Sequence, residues 1–330
     1  MKLLLLATLP LALLSSTALA FDCGKASTPV EKIICADKAL MKSDDRMVAA
    51  YNKLKGALDA GAKEALRISQ LRWIKQREGC SYEGATDVPE CVRDTTEKRL
   101  AVLTATPESG PGDGPDLEPW LVQKEGKKGS WDIDYNLVRI ADPQSAGADL
   151  FNREVETQLL PALLEHSSLG TSTMKVEPDQ MYAISVTLTP TYASKRLVSA
   201  LAEGYEFAGG AHGNSWTRGI NIDLHTARRL SFGDLFAREA SGPIAQMCTT
   251  QLVTAKRTRL GDAAANLEDG ADEIIITHVQ DLERWSFKAD RASITFDPYE
   301  IGSYAEGAYT CTLEMEKLRS LAIAGAPLPQ

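Results

Sequence analysis

Tyr299, Glu300, Tyr304 and Glu306 crowd into the segment that begins Phe296-Asp-Pro-Tyr-Glu-Ile-Gly-Ser-Tyr304. Phenol rings and carboxylates around a glycine suit contact with a partner better than covalent chemistry. Ala292 to Phe296 alternates as a strand does, and Pro298 stops further ladder pairing, so the four side chains stand on a loop. The competing expectation is that the tyrosines fold back onto the core, since loop aromatics are more often packed than functional. A second cluster is Phe207-Ala-Gly-Gly-Ala-His-Gly-Asn214, with Trp216 just beyond it. Its glycines permit a tight turn and leave His212 and Asn214 prominent. His212 could be a ligand or a general base, or could simply hydrogen-bond the backbone of a connection between two strands. Catalysis by one histidine needs partners, and the sequence contains neither HExxH nor GxSxG.

The four histidines, His166, His212, His225 and His278, show no metal-ligand spacing. No metal and no cofactor are expected. Asp132 with Asp134, and Asp223 with His225, alternate and so share a strand face. Paired carboxylates serve glycosidases, but such pairs are equally at home on solvated strands. The expected protein is therefore not an enzyme.

Positioning these residues requires a folded, exported chain. Lys2, the apolar run Leu3 to Leu14 and Ala18-Leu19-Ala20 read as a signal peptide over residues 1–20, cleaved near Ala20. The expected location is the periplasm or the exterior, without stable membrane insertion, because no later segment is long and apolar enough to span a bilayer. Six cysteines in such a chain predict three disulfides. Cys23, Cys35, Cys80 and Cys91 could staple a small domain in any of three pairings, and Cys248 with Cys311 could close one long loop.

Residues 21–104 hold 15 Lys and Arg against 13 Asp and Glu, whereas residues 105–330 hold 20 against 32. The larger part, at about −12, repels nucleic acid and attracts cationic partners.

Thr28-Pro29-Val30-Glu31 combines a capping box with proline at the first helical position. The apolar spacing from Val30 to Leu58 predicts one helix, with Gly61 as the stop before a second helix carrying Leu66, Trp73 and Ile74; a third runs from about Pro89 to Leu103. Residues 21–103 thus read as a small helical domain too thin to bury much core without cystines. Four prolines and three glycines in residues 104–119 predict an extended, hydrated linker about which the two folded parts move. Residues 120–330 mix periods, with strands expected at 131–140, 181–189, 197–207, 215–224, 285–288, 293–296 and 309–314. Helices are expected at 148–164, kinked at Pro161, and at 239–260 and 272–281. The expected fold is multidomain: a disulfide-stapled all-α domain, then an α+β domain whose mainly antiparallel sheet is packed by helices.

Two resemblances attach to these motifs. Phe21-Asp-Cys-Gly-Lys-Ala-Ser-Thr-Pro-Val-Glu-Lys-Ile-Ile-Cys35, Gln70-Leu-Arg-Trp-Ile-Lys-Gln-Arg-Glu-Gly-Cys80 and Cys91 resemble the LprI-like N-terminal domain, a helical module of exported bacterial proteins whose namesake is a lysozyme inhibitor. The His212 turn, Asn221 to Thr226, Phe232 to Phe236 and Phe296 to Gly307 resemble the RsiV/PdaC-like extracellular domain. One branch of that family is the outer part of an anti-sigma factor that binds lysozyme, and another precedes a peptidoglycan deacetylase. The chain shows neither a transmembrane helix with a sigma-binding part nor a deacetylase module, so the resemblance implies binding at the envelope. Together they imply lysozyme, or a similar cationic wall-degrading enzyme, as partner. Tyr299, Glu300, Tyr304, Glu306, His212, Asn214 and Trp216 are the expected contacts. An envelope module that recognises peptidoglycan or another protein, and a cell-wall enzyme, are the alternatives.

Overall fold

The Thr28 hydroxyl accepts from the Glu31 N–H at 3.1 Å, and Glu31 Oε2 accepts from the Thr28 N–H at 2.9 Å, so the first helix starts where its capping box dictates. The computed structural model describes residues 22–81, 87–125, 131–160, 182–262 and 266–330. The signal peptide, His166, the predicted kink at Pro161 and the start of the strand at Met181 lie outside the described residues.

Helix α1 (Pro29–Ala36) is separated from α2 (Lys38–Ala57), where a single helix was expected. Asp37 is the cause: its carboxylate accepts from the Ala39 and Leu40 N–H groups and caps a new helix. Gly61 is likewise no stop. Asp59 accepts from the Ala62 N–H and starts α3 (Ala60–Glu78), which holds Gly61 in its first turn. Helix α4 (Val88–Thr104) follows, capped by Asp87. Cystines Cys23–Cys35 and Cys80–Cys91 settle the pairing among the first four cysteines. They flank two thin cores, one around Val30, Ile34, Leu40 and Val92 and one around Met47, Leu66, Trp73 and Leu103.

The first sheet runs in the order β1 (Leu117–Glu125), β2 (Trp131–Ile140), β3 (Tyr182–Ala193), β4 (Leu197–Phe207), β5 (Asn214–Asp223), β6 (Arg228–Arg229). Among the described residues only β2 and β3 pair in parallel, and α5 (Ala146–Leu159) lies between them in sequence. Its Phe151, Val155 and Leu159 join the core formed by Ile133, Leu137, Val186 and Ile222 of the sheet. A second, antiparallel sheet of β7 (Trp285–Phe287), β8 (Arg291–Phe296) and β9 (Tyr309–Glu314) shares a core with α6 (Ser241–Leu260), α7 (Ala271–Gln280) and α8 (Met315–Leu321). Cys248 on α6 is bonded to Cys311 on β9, as expected. The architecture is the predicted helical region followed by an α+β region with a mainly antiparallel sheet.

Residues 104–119 are exposed over much of their length, yet they are tied to the sheet. The Glu108 N–H donates to Pro190 O at 2.9 Å, the Ser109 hydroxyl donates to Thr191 O at 2.8 Å, and the Ala193 N–H donates to Ser109 O at 3.3 Å. From Leu117 the segment is already strand β1, with Pro119 tolerated because β1 is an edge. Proline and glycine also suit a strap that runs against a sheet. The two parts are joined further by polar bonds across their boundary. The Ser69 hydroxyl donates to Asn136 Oδ1 at 2.5 Å, and Arg99 Nη1 donates to both Ser69 and Asn136. Burial lowers the Arg99 guanidinium to about 10.

Candidate aromatic binding site

Strand β8 delivers Asp297 to the top of the second sheet, and the β4–β5 hairpin delivers His212 from the first. The two meet because the Thr217 N–H and hydroxyl donate to Asp297 at 3.1 and 2.8 Å. The His212 and Tyr304 rings then stack at 3.8 Å between centroids, Tyr299 lies 5.6 Å from Tyr304, and the Tyr299 hydroxyl is 3.4 Å from His212 Nε2. Three of the seven residues singled out from sequence are thus brought into one aromatic cluster. His212 also bonds the backbone through Nδ1, 3.0 Å from Gly213 O, so the structural role weighed for it is present beside its place in the cluster.

Tyr299 is 62 % exposed, the most exposed large hydrophobic side chain among the described residues, so the packing alternative fails for this ring. Its φ is 74°, in the left-handed region that disfavours a tyrosine. Tyr205, which sequence reasoning missed, adds a further exposed ring: a Cβ on Gly213 would fall 2.5 Å from its Cζ. The strand alternation of β4 and the glycine just before β5 were the available signal.

The other four chosen residues are placed differently. Asn214 is exposed at the start of β5, paired in register with Glu206. Trp216 lies over Gly204, where a Cβ would fall 2.0 Å from the indole, and packs against the sheet core. Glu300 is turned inward onto His278 and Arg284, at 2.9 and 2.8 Å. Glu306 is also turned inward. It accepts from the Ser303 N–H at 2.7 Å and the Tyr309 hydroxyl at 2.7 Å, and pairs with buried Lys256 at 3.1 Å. Burial would raise its carboxyl, but those donors outweigh burial and bring it down to about 2. Burial and the same carboxylate push Tyr309 up to about 12. These two glutamates anchor the loop rather than present charge to solvent.

The paired acids are also absorbed by the fold. Asp132 and Asp134 both pair with Arg72 of α3, and Asp223 accepts from the His225 and Thr226 N–H groups to close a turn. The arrangement therefore offers rings for stacking and an exposed imidazole. Tyr299→Gly is expected to change stability by less than about 1 kcal/mol in urea denaturation, because relief of backbone strain offsets the lost ring contacts. A loss of about 3 kcal/mol or more would return the ring to the core.

Two separate regions of the chain match known families. Residues 23–103 match the family described as "Lysozyme inhibitor LprI", and residues 233–316 match the "Protein of unknown function (DUF3298)" family. The chain therefore carries an LprI lysozyme inhibitor domain followed by a DUF3298 domain. The loop of Tyr299 falls inside the second match and the His212 turn lies before it. "Lipoprotein LprI" of Mycobacterium tuberculosis and of Mycobacterium bovis are each 34% identical over 92 residues, 26% of this chain. The chain spans 44% of the length of those relatives. Crystal structures of DUF3298 proteins from Pseudomonas aeruginosa and Bacteroides fragilis share 18% and 15% identity. They cover 66% and 63% of this chain and 98% and 93% of their own, with TM-scores of 0.47 and 0.46.

Proposed function

We propose that this is a periplasmic lysozyme-binding protein that protects peptidoglycan by occluding the lysozyme cleft. The observation that carries the reading is the match of residues 23–103, with both of their cystines closed, to the lysozyme inhibitor family. Two features of the rest support it. The charge of about −12 in residues 105–330 suits a small, strongly cationic enzyme by long-range attraction. The exposed, strained Tyr299 beside Tyr304 and His212 has the chemistry of an interface anchor, in which aromatic side chains dominate affinity. The likeness of the Phe296–Gly307 loop to the RsiV/PdaC-like domain points the same way. The role is recognition, not catalysis.

The test is a bacterial lysis assay with purified full-length chain and lysozyme, beside direct binding by calorimetry. Protection and binding at micromolar concentration are expected, with association slowed by added salt. Binding without protection would leave a sensory envelope module, and neither binding nor protection would end the proposal. Tyr299→Ala with Tyr304→Ala is expected to weaken binding about tenfold or more while the melting temperature holds. Undiminished binding in that variant would assign the contact to the helical region.

A further inference from the structure

Tyr299 occupies a backbone position that its own chemistry disfavours, and the groups beneath it show what keeps it there. The Glu300 N–H donates to Asp297 O at 3.1 Å across Pro298 and Tyr299. Proline in second place and a φ of 74° in third are the signature of a type II turn, whose third place normally belongs to glycine. Such strain, on the order of 1–3 kcal/mol, persists only where the surroundings over-determine it.

Here they do. Glu300 Oε2 accepts from the Asp297 N–H at 2.6 Å and faces His278 Nε2 at 2.9 Å, while Oε1 accepts from Arg284 at 2.8 Å. Arg284 bridges to Asp297 at 2.9 Å, and Asp297 is held by Thr217. His278 lies flat on Phe296 at 4.9 Å, and its Nδ1 has no partner among the described residues, which leaves Nε2–H as the donor aimed at Glu300. Burial would raise the Glu300 carboxyl, but the bonds from His278, the Asp297 N–H and Arg284 hold it below the usual glutamate value.

We infer that Glu300 is a positioning residue: clamped by His278 and Arg284, its carboxylate closes back on the Asp297 N–H and holds Tyr299 outward, beside Tyr304 and His212, before any partner arrives. Preorganisation of this kind strengthens binding by removing the cost of ordering a loop. The consequence for affinity rests on the proposed lysozyme reading, whereas the positioning itself does not.

Glu300→Gln in the full chain tests it, since glutamine keeps the size and removes the charge. Amide exchange at Tyr299, Glu300 and Ile301 is expected to quicken about tenfold, with the His212 ring protons shifting toward solvent values as the stack loosens. Unchanged exchange and unchanged His212 shifts would overturn the inference. With purified lysozyme as probe, Glu300→Gln is expected to weaken binding about tenfold, and Glu300→Gln with Tyr299→Ala to bind no more weakly than Tyr299→Ala alone. Losses that multiply in the double variant would make Glu300 an independent contact and overturn it. If the unaltered chain does not bind lysozyme, the functional proposal fails, and the exchange and His212 measurements still decide the positioning.

Discussion

Replacing Cys248 and Cys311 together by alanine is expected to destabilise the protein by about 4 kcal/mol, the loop-entropy value for a closure of this length. The bond joins α6 to β9 across a sequence separation of 63, and both cysteines are fully buried in the larger core. The closed loop contains α7, β7, β8 and the Tyr299 turn. Without the bond, the unfolded chain regains the freedom of that whole segment. Double replacement avoids a lone buried thiol, so the loss read by urea denaturation reports the cross-link and its packing alone. Amide exchange should place the largest rise in α7, β8 and the turn, because Gln251 of α6 still bonds Thr312 of β9 twice and pins the far edge. A loss under about 1 kcal/mol would mean that the segment between the two cysteines is already ordered in the unfolded state.

The strands were legible because period-two alternation survives wherever a sheet has one buried face. β4 and β9 coincide with their expected ranges, and β5 and β8 differ by one or two residues at their ends. Helix boundaries were less so, since apolar periodicity runs through Asp37 and only the carboxylate's bonds to Ala39 and Leu40 reveal the break. The aromatic loop was found by residue type, but type does not give direction. Glu300 and Glu306 carry the same charge as solvent-facing acids and are turned inward by partners 22 and 50 positions away in sequence, His278 and Lys256. One signal was available and unused: Ser303-Tyr-Ala-Glu306 has the spacing of a capping box, as Thr28 to Glu31 has, and the structure closes both. His278, Arg284 and Asp297 could not have been picked out, because only the meeting of α7, the turn before β7 and the residue after β8 makes them a group.

Asp44→Ala is expected to cost about 3–5 kcal/mol, since it leaves one buried charge without its partner. Asp44 accepts from Arg77 Nη1 at 2.6 Å between α2 and α3, with side chains only 6% and 9% exposed. The guanidinium lies 4.4 Å over the Trp73 ring, so it has no route to water that keeps this packing. Arg77→Met with Asp44→Ala removes both charges and is expected to recover most of the loss, because a thioether can fill the same apolar slot. A double variant as unstable as Asp44→Ala would mean that shape, not charge, carries the effect. The unfolding curve carries a second result. Ser69, Arg99 and Asn136 bind the helical region to β2, so destabilising α2 and α3 should lower one shared transition rather than release an early one. Should Asp44→Ala instead split the transition in two, the inhibitor-like region would be a separable unit, and lysozyme binding measured between the two midpoints would show whether that region or the aromatic site holds the partner.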